Sequence, residues 1–163
     1  MKKEREEIEI REMELDDLPQ VFHLGEKLFT SEEVPNLYRT WDEYELAEFF
    51  ISEPEACFVA KTDGKIVGFI LGNTLTKYRS AWKYGHLTWI GVDNDYRKIG
   101  IANRLFEYFM ELMREKKVRM IIADTEADNK IAIDFFKKKG FGKAEKHVYM
   151  SLNLGVNKKR RKR

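Results

Sequence analysis

Between Gly85 and Leu112 the chain reads GHLTWIGVDNDYRKIGIANRLFEYFMEL, in which a strand pattern passes through a charged turn into a helix pattern. Large and β-branched residues from His86 to Val92 predict a buried or half-buried strand. From Ile101 onward, apolar residues recur at helical spacing with charged residues between them. A strand that enters a helix through a tight turn directs main-chain N–H groups and the positive end of the helix dipole at one place. The segment therefore predicts an anion-binding site.

The turn itself carries the features that a bound phosphate requires. Arg97 and Lys98 supply positive charge, while Gly100 and the small Ala102 let a phosphate approach the main chain closely. Taken alone, Gly100 is equally typical of an ordinary helix entry, and Arg97 of a solvated charge. The interpretation becomes specific only together with a second motif farther along the chain.

That second motif completes a resemblance to the GCN5-related N-acetyltransferase (GNAT) superfamily. Residues 97–102, RKIGIA, are similar to the Arg/Gln-x-x-Gly-x-Gly/Ala loop with which this superfamily binds the pyrophosphate of acetyl-coenzyme A (acetyl-CoA). Residues 129–141, NKIAIDFFKKKGF, resemble its Asn-x-x-Ala-x-x-Leu/Phe-Tyr/Phe-x-x-x-Gly-Phe segment, and a predicted strand over 118–124 separates the two motifs. The resemblance extends from Ile8 to Leu154 and identifies the family, but not the acceptor substrate.

The resemblance implies an α/β fold with a mixed, mostly antiparallel central sheet, a parallel strand pair splayed at the cofactor site, and helices on both faces. The sequence patterns give a compatible order, with two helices between the first two strands and then ββ-β-α-β-α-β. We expect a single GNAT domain over residues 1–155 and a basic, disordered tail over 156–163.

Local patterns place the individual elements. Strands are predicted over 8–13, 57–62, 65–75 and 147–154, helices from Asp16, over 41–51 and after Asn129, and a loop over 31–40. Asp63-Gly64 is a strong hairpin signal between the second and third strands. The final strand would leave an unpaired edge, which predicts a homodimer that covers it; a monomer protected by Lys143 and Lys146 is the alternative.

Composition excludes several classes of protein. The net charge is +2, but the last six residues contribute +6, so the preceding residues sum to −4 and a dedicated nucleic-acid-binding fold is not indicated. Contact with nucleic acid is expected, if anywhere, at the basic tail. The single cysteine, Cys57, excludes an intramolecular disulfide and favours a cytoplasmic location. The sequence has no membrane-spanning apolar run, so no membrane partner is expected.

The resemblance assigns acetyl-CoA as co-substrate and no metal. In this family a main-chain N–H of the strand before the phosphate turn stabilises the oxyanion, and here Ile90 to Val92 supply that stretch. Gly91 suits a bulge that exposes an amide. The predicted cofactor-binding residues are Ile90, Gly91, Val92, Arg97, Lys98, Ile99, Gly100, Ile101, Ala102, Asn103, Asn129 and Phe136.

Acetyl transfer to an amine requires a neutral amine, a donor to the tetrahedral oxyanion and a stabilised thiolate leaving group. Asp124 and His86 occupy positions where different members of the family place the group that accepts the proton of the amine. The alternative interpretation of Asp124 is a strand-end carboxylate that begins a turn. The alternative interpretation of His86 is an imidazole hydrogen-bonded to the main chain. Phe136 replaces the tyrosine that relatives often use as acid, so either another group, such as Tyr149, Tyr78 or Tyr84, donates a proton or the thiolate leaves unaided.

The predicted function is acetylation of a primary amine, on a protein N-terminus, a lysine or a small molecule, by direct attack in a ternary complex. The acidic side chains of residues 32–48 would attract a cationic amine. The alternative is that they only form a solvated surface. The alternative is a regulatory module that binds coenzyme A without turnover.

Overall fold

A computed structural model describes residues 7–29, 40–150, 152 and 154, so that the predicted loop over 31–39 and the basic tail lie outside the described residues. The chain divides into two compact units at Asp124/Thr125, and its organisation as a single domain stays a prediction. The first unit contains β1 (Glu9–Glu12), α1 (Leu18–Phe29), α2 (Glu43–Ser52), β2 (Cys57–Thr62), β3 (Lys65–Thr76), β4 (Lys83–Val92), α3 (Ile101–Glu115) and β5 (Met120–Ala123). The second contains α4 (Lys130–Lys138).

The strands of the first unit form one sheet in the order β1-β2-β3-β4-β5. Neighbouring strands are antiparallel except for β4 and β5, which are parallel. The β2–β3 connection confirms the hairpin signal, because Asp63 and Gly64 both adopt positive φ angles of 48° and 75°. Two successive left-handed residues match the twist of the flanking strands, which is why this dipeptide favours hairpins. The predicted mixed, mostly antiparallel sheet is confirmed.

Aromatic rings fill the space between the sheet and the first two helices. The Trp89 ring centroid lies 4.8 Å from that of Phe29 and 5.2 Å from that of Trp41. The Trp41 indole N–H donates to the Phe22 carbonyl at 3.0 Å, so the buried ring keeps its polar group paired. Trp41 lies just before α2 and therefore fixes the approach of that helix to α1.

The third helix covers the opposite face of the sheet. Its apolar stripe, Ile101, Leu105, Phe106, Phe109 and Met113, is buried, as the helical spacing predicts. Gly72 in β3 makes room for it, since a Cβ there would lie 2.5 Å from the Phe109 ring. Helices therefore pack on both faces of the sheet.

A bulge at Thr88 interrupts the pairing of β4 with β3. Leu71 pairs with Trp89 and Gly72 with Leu87, which leaves Thr88 as the extra residue. The strand changes faces at this point: a Cβ on Gly85 would meet Met113 of α3, whereas Trp89 packs in the core beneath the first two helices. Gly91 is therefore not the bulged residue, and that prediction is wrong.

Glu53 at the end of α2 fixes this helix to the sheet. Its carboxylate accepts a hydrogen bond from the Thr74 amide at 2.7 Å and another from the Lys116 ammonium after α3. The helix itself begins at Asp42, whose side chain accepts from the Glu45 amide at 2.8 Å. Both ends of α2 are thus held by side-chain hydrogen bonds, which positions its inward face for the site.

In the second unit, Asn129 caps α4 by accepting from the Ala132 amide at 3.2 Å, and Gly140 after the helix has the predicted left-handed conformation, with φ of 91°. The predicted strand over 147–154 is wrong, because the described residues of that range carry no strand. Alternation of apolar residues predicts which side chains share a face, but a strand also needs a ladder partner. The homodimer stays a prediction.

We expect Gly25→Ala to destabilise the protein, although alanine is normally the better helix former by about 1 kcal/mol. A Cβ at Gly25 in α1 would lie 2.0 Å from the Trp41 ring, which is held in place by its hydrogen bond. Overpacking of this kind costs about 1–3 kcal/mol. Urea denaturation measures the free energy of unfolding.

The matched control for that substitution is Gly142→Ala, because a Cβ at Gly142 would meet nothing within 4 Å. Its free energy of unfolding should stay within about 0.5 kcal/mol of the parent. A Gly25→Ala variant as stable as the parent would contradict the packing of Trp41 against α1.

Candidate active site

A cavity of about 250 Å³ lies between α2 and the β3–β4 face of the sheet. It is partly open to solvent, and most of the residues that line it have polar side chains. The residues that line it are Glu45, Glu48, Phe49, Ser52, Asn73, His86, Thr88, Trp89 and Asp124. Two of the predicted catalytic residues, His86 and Asp124, therefore lie in the same cavity.

The parallel pairing of β4 with β5 brings these two residues together. His86 pairs with Ile122, and Asp124 follows the last residue of β5, so both side chains reach the same end of the strand pair. His86 Nε2 lies 3.0 Å from Asp124 Oδ1, within hydrogen-bonding distance. The side chains are 24% and 40% exposed, which leaves the pair accessible from the cavity. The sequence indicated each residue separately, and their contact emerges only from the sheet.

Carboxylates from α2 give the cavity a negative lining. Glu45 accepts a hydrogen bond from the Trp89 indole N–H at 3.1 Å, and Glu48 lies one helical turn later. With Asp124, three carboxyl groups line a cavity that holds one histidine. Such a lining attracts a cationic amine and opposes an anionic acceptor.

Two polar atoms in the cavity wall are buried without a hydrogen-bond partner among the described residues: Asn73 Oδ1 and Thr88 Oγ1. A buried polar group without a partner is costly unless a ligand or water satisfies it. Sequence analysis did not predict these two residues, or Trp89, as part of the site. In the sequence, the feature that could have indicated the site was the polar residue Asn73 at the end of the apolar run of β3.

The outer edge of β4 is not paired with β5 beyond the bulge. Pairing with β5 ends at Leu87, so within the described residues β5 does not cover the outer edge of β4 from Thr88 onward. The Asp93 amide donates to the Val67 carbonyl of β3 at 2.8 Å. Because N–H groups alternate in direction along an antiparallel ladder, the Gly91 N–H also points toward β3. The N–H groups of Ile90 and Val92 then point away from β3. Pairing of the two parallel strands stops where β5 ends, and the splay of the pair stays a prediction.

Gly91 has a packing role in place of the predicted bulge. A Cβ at this position would lie 2.8 Å from Leu28 and 3.1 Å from Phe29, both near the end of α1. The residue lets α1 approach β4 closely. Its neighbours Ile90 and Val92, rather than Gly91 itself, direct their amides away from β3.

Asp93 fixes the turn that follows β4. Its buried carboxylate accepts from Lys27 and Lys65, each at 3.2 Å, and from the Asp95 amide at 3.1 Å. Burial by itself would raise the pKa of Asp93, but the hydrogen bonds from Asp95, Lys65 and Lys27 outweigh it and hold the pKa below its ordinary value. An ionised Asp93 thus anchors the chain just before the predicted phosphate loop.

The predicted loop leads directly into the N-terminus of α3. Lys98 and Gly100 have positive φ angles of 65° and 90°, and the first intrahelical bond runs from the Arg104 amide to the Gly100 carbonyl at 3.0 Å. The amides of Ile101, Ala102 and Asn103 therefore have no acceptor within the helix. No atom of the described residues lies within 4 Å of a Cβ placed on Gly100, and the side chains of Arg97, Lys98 and Ile99 are exposed.

Three predicted residues belong to the second unit. Asn129 caps α4, and its amide also donates to Thr125 Oγ1 at 3.1 Å. The Phe136 ring packs against those of Phe135 and Phe141, with centroids 5.5 Å and 5.0 Å away. Tyr149 is half-exposed. Their predicted roles in cofactor binding and catalysis stay predictions.

Cys57 is fully buried in β2. Burial raises the pKa of its thiol to about 12, and the nearby carboxylates of Glu53 and Glu55 contribute in the same direction. A neutral, inaccessible thiol is a poor nucleophile.

Among the described residues no group of three His, Cys, Asp or Glu side chains is arranged to hold a metal. None of the helices described is long and apolar enough to span a bilayer.

Comparison with known proteins agrees with this geometry. Residues 18–141 match the profile of the acetyltransferase (GNAT) family. An N-alpha-acetyltransferase of Sulfurisphaera tokodaii is 28% identical over 156 residues, which cover 90% of this chain and 89% of that relative.

Solved structures share the fold. An aminoglycoside N-acetyltransferase in complex with CoA superimposes with a TM-score of 0.74 at 19% identity, covering 93% of this chain and 99% of the other. The NatC complex bound to Gag peptide and CoA gives a TM-score of 0.73 at 21% identity, with 85% and 87% covered. Together with the profile match over most of its length, these findings establish that the chain belongs to the acetyltransferase (GNAT) family and is an N-acetyltransferase.

Proposed function

We propose that this enzyme transfers the acetyl group of acetyl-CoA to the α-amine of a polypeptide, by direct attack of the amine in a ternary complex. The observation that carries the proposal is the 3.0 Å contact between His86 and Asp124 in a cavity lined by carboxylates. The similarity to an N-alpha-acetyltransferase over 90% of the chain favours a polypeptide α-amine over other amines. The aminoglycoside enzyme, at 19% identity, supports the fold alone.

The start of α3 fits the diphosphate of acetyl-CoA. The amides of Ile101 to Asn103 donate to phosphate oxygens at the positive end of the helix dipole, and the exposed Arg97 and Lys98 add charge-assisted contacts. The open space beside Gly100 allows the phosphate to reach the main chain. When bound, acetyl-CoA supplies the acetyl group as a thioester.

His86 serves as the general base in this proposal, and Asp124 as the residue that positions it. If Nε2–H donates to Asp124, Nδ1 is the nitrogen that can accept the proton of the attacking amine, directly or through one water. The carboxylate holds the imidazole in that tautomer and stabilises the imidazolium that forms. Asp124 as the base itself is the alternative that the same geometry allows.

The outward-facing amides of β4 provide the oxyanion donor. Ile90 and Val92 direct their N–H groups to the edge that β5 leaves uncovered, between the phosphate loop and the cavity. A fixed main-chain donor at this edge stabilises the negative charge on the acetyl oxygen when the amine adds. Because Cys57 is buried, acyl transfer through an enzyme thiol is not part of the mechanism.

Arg97→Glu and Gly100→Asp should each weaken acetyl-CoA binding about tenfold or more, since charge-assisted hydrogen bonds are the strong ones and a carboxylate repels the diphosphate. Isothermal titration calorimetry measures the dissociation constant. Arg114→Glu, the same charge change at an exposed position near the end of α3, is the control and should bind normally. Unchanged affinity in both test variants would remove the proposed cofactor site.

His86→Gln should lower kcat about 100- to 10,000-fold, the usual contribution of a general base, while acetyl-CoA affinity stays unchanged. Asp124→Asn should act in the same direction, and the double variant should lose little more than the stronger single variant, because the two residues act as a unit. Steady-state thiol release with a peptide acceptor provides the measurement. Full kcat in both single variants would exclude the pair from catalysis.

The same assay separates the enzyme from a regulatory module that binds CoA without turnover, because only the enzyme releases thiol in the presence of an acceptor amine. The assay also tests whether the departing thiolate needs an acid. If Phe136→Tyr leaves kcat unchanged, the thiolate needs no acid at that position, as its modest basicity predicts.

Cys57→Ala should retain kcat, because the thiol takes no part in transfer. Mass spectrometry of the parent after incubation with acetyl-CoA alone should find no acetylated Cys57. Loss of kcat in Cys57→Ala together with an acetyl adduct on Cys57 in the parent would replace the direct mechanism by a two-step one.

A further inference from the structure

Basic and aromatic side chains form a cluster on the hairpin of β3 and β4, next to the cavity. We call it the basic–aromatic patch: Lys77, Tyr78, Arg79, Trp82, Tyr84 and Arg119. The segments that supply it, 75–84 and 117–123, contain no Asp or Glu. This contrasts with the rest of the chain before the basic tail, where acidic residues outnumber basic ones.

Contacts within the patch hold its cations over aromatic rings. The Arg119 guanidinium lies 3.9 Å from the centroid of the Trp82 ring, and Lys77 Nζ lies 5.8 Å from that of Tyr84. The Arg119 amide donates to the Lys83 carbonyl at 2.9 Å, which fixes this residue to the start of β4. A cation that is held over a ring, and not by a carboxylate, keeps its charge available to an anion. Because its side chain is already ordered, it loses less conformational freedom when the anion binds.

The patch is continuous with the cavity along β4. Tyr84 and His86 are two residues apart and precede the bulge at Thr88, so their side chains lie on the same face of the sheet. Two residues of strand correspond to about 7 Å. An extended polypeptide advances about 3.3 Å per residue, so a chain whose first residue occupies the cavity reaches the near end of the patch after about two further residues and continues along it over the next few.

The two surfaces have opposite charge. The cavity, with Glu45, Glu48 and Asp124, attracts the ammonium end of an acceptor, whereas the patch attracts carboxylates. We propose that the basic–aromatic patch binds acidic side chains a few residues downstream of the acetylated amine, so that the enzyme prefers polypeptides with an acidic segment after the first residues. This inference rests on the proposed function, because it assumes that the acceptor is a polypeptide.

The experiment compares two hexapeptide acceptors that differ only in Glu or Gln at positions 4–6. At low salt the Glu peptide should have a kcat/KM about five- to tenfold higher, through KM rather than kcat, because each exposed ion pair contributes little and several act together. Added salt should reduce this ratio. In Lys77→Glu/Arg119→Glu the ratio should fall to one or below, whereas Arg114→Glu, away from the patch on α3, should leave it unchanged.

A dipeptide amide too short to reach the patch tests whether the double variant remains folded and active. The variant should acetylate it at the parent rate. If the parent acetylates the Glu and Gln hexapeptides equally, the inference is overturned while the proposed function stands. If the parent binds acetyl-CoA but acetylates no peptide, both fail.

Single-stranded RNA is the other polyanion that a basic–aromatic surface could bind. Binding of an oligonucleotide that is lost in Lys77→Glu/Arg119→Glu, without any preference for the Glu hexapeptide, would assign the patch to RNA and overturn the inference. Competition of the oligonucleotide only with the Glu hexapeptide would support a site for acidic side chains.

Discussion

The early end of the parallel β4–β5 pairing, at Leu87 and Ala123, is the constraint on which the site depends. Up to this point the pairing brings the end of β5 beside β4, and it thereby places Asp124 next to His86. Beyond it β4 no longer pairs with β5, and the amides of Ile90 and Val92 are directed away from β3. In the proposed mechanism, this one geometric feature supplies both the His86–Asp124 pair and the oxyanion donor.

The bulge at Thr88 has a complementary effect on side chains. Before it, the α3 side of β4 carries Gly85, against Met113; after it, Trp89 packs beneath α1 and α2. A regular strand would keep Leu87 and Trp89 on one face. The change of face lets the same strand contribute to the core on both sides of the sheet and still present His86 and Thr88 to the cavity.

Charge is separated along the first unit in a way that suits the two substrates. Positive groups and free helix amides lie at the start of α3, where the anchored Asp93 fixes the preceding turn, and negative groups line the cavity. In the proposed function, the anionic acyl donor and a cationic acceptor are therefore attracted to different places. The buried Cys57 offers no accessible nucleophile between them, which favours direct attack.

The sequence by itself determined the family and the hairpin at Asp63-Gly64. It also predicted a phosphate loop before α3 and the candidates His86 and Asp124, because these predictions depend on local residue types and spacing. Only the tertiary structure decided that His86 contacts Asp124, that the bulge falls at Thr88 instead of Gly91, and that Glu45, Asn73 and Trp89 share their cavity. These features depend on strand register. Neither the glycine at position 91 nor the alternating pattern near the C-terminus identifies which residues it will contact. Gly91 is required by the approach of Leu28, and the described residues from 147 to 150 carry no strand. Both predictions failed for the same physical reason: local sequence specifies conformational preference, while packing specifies contacts.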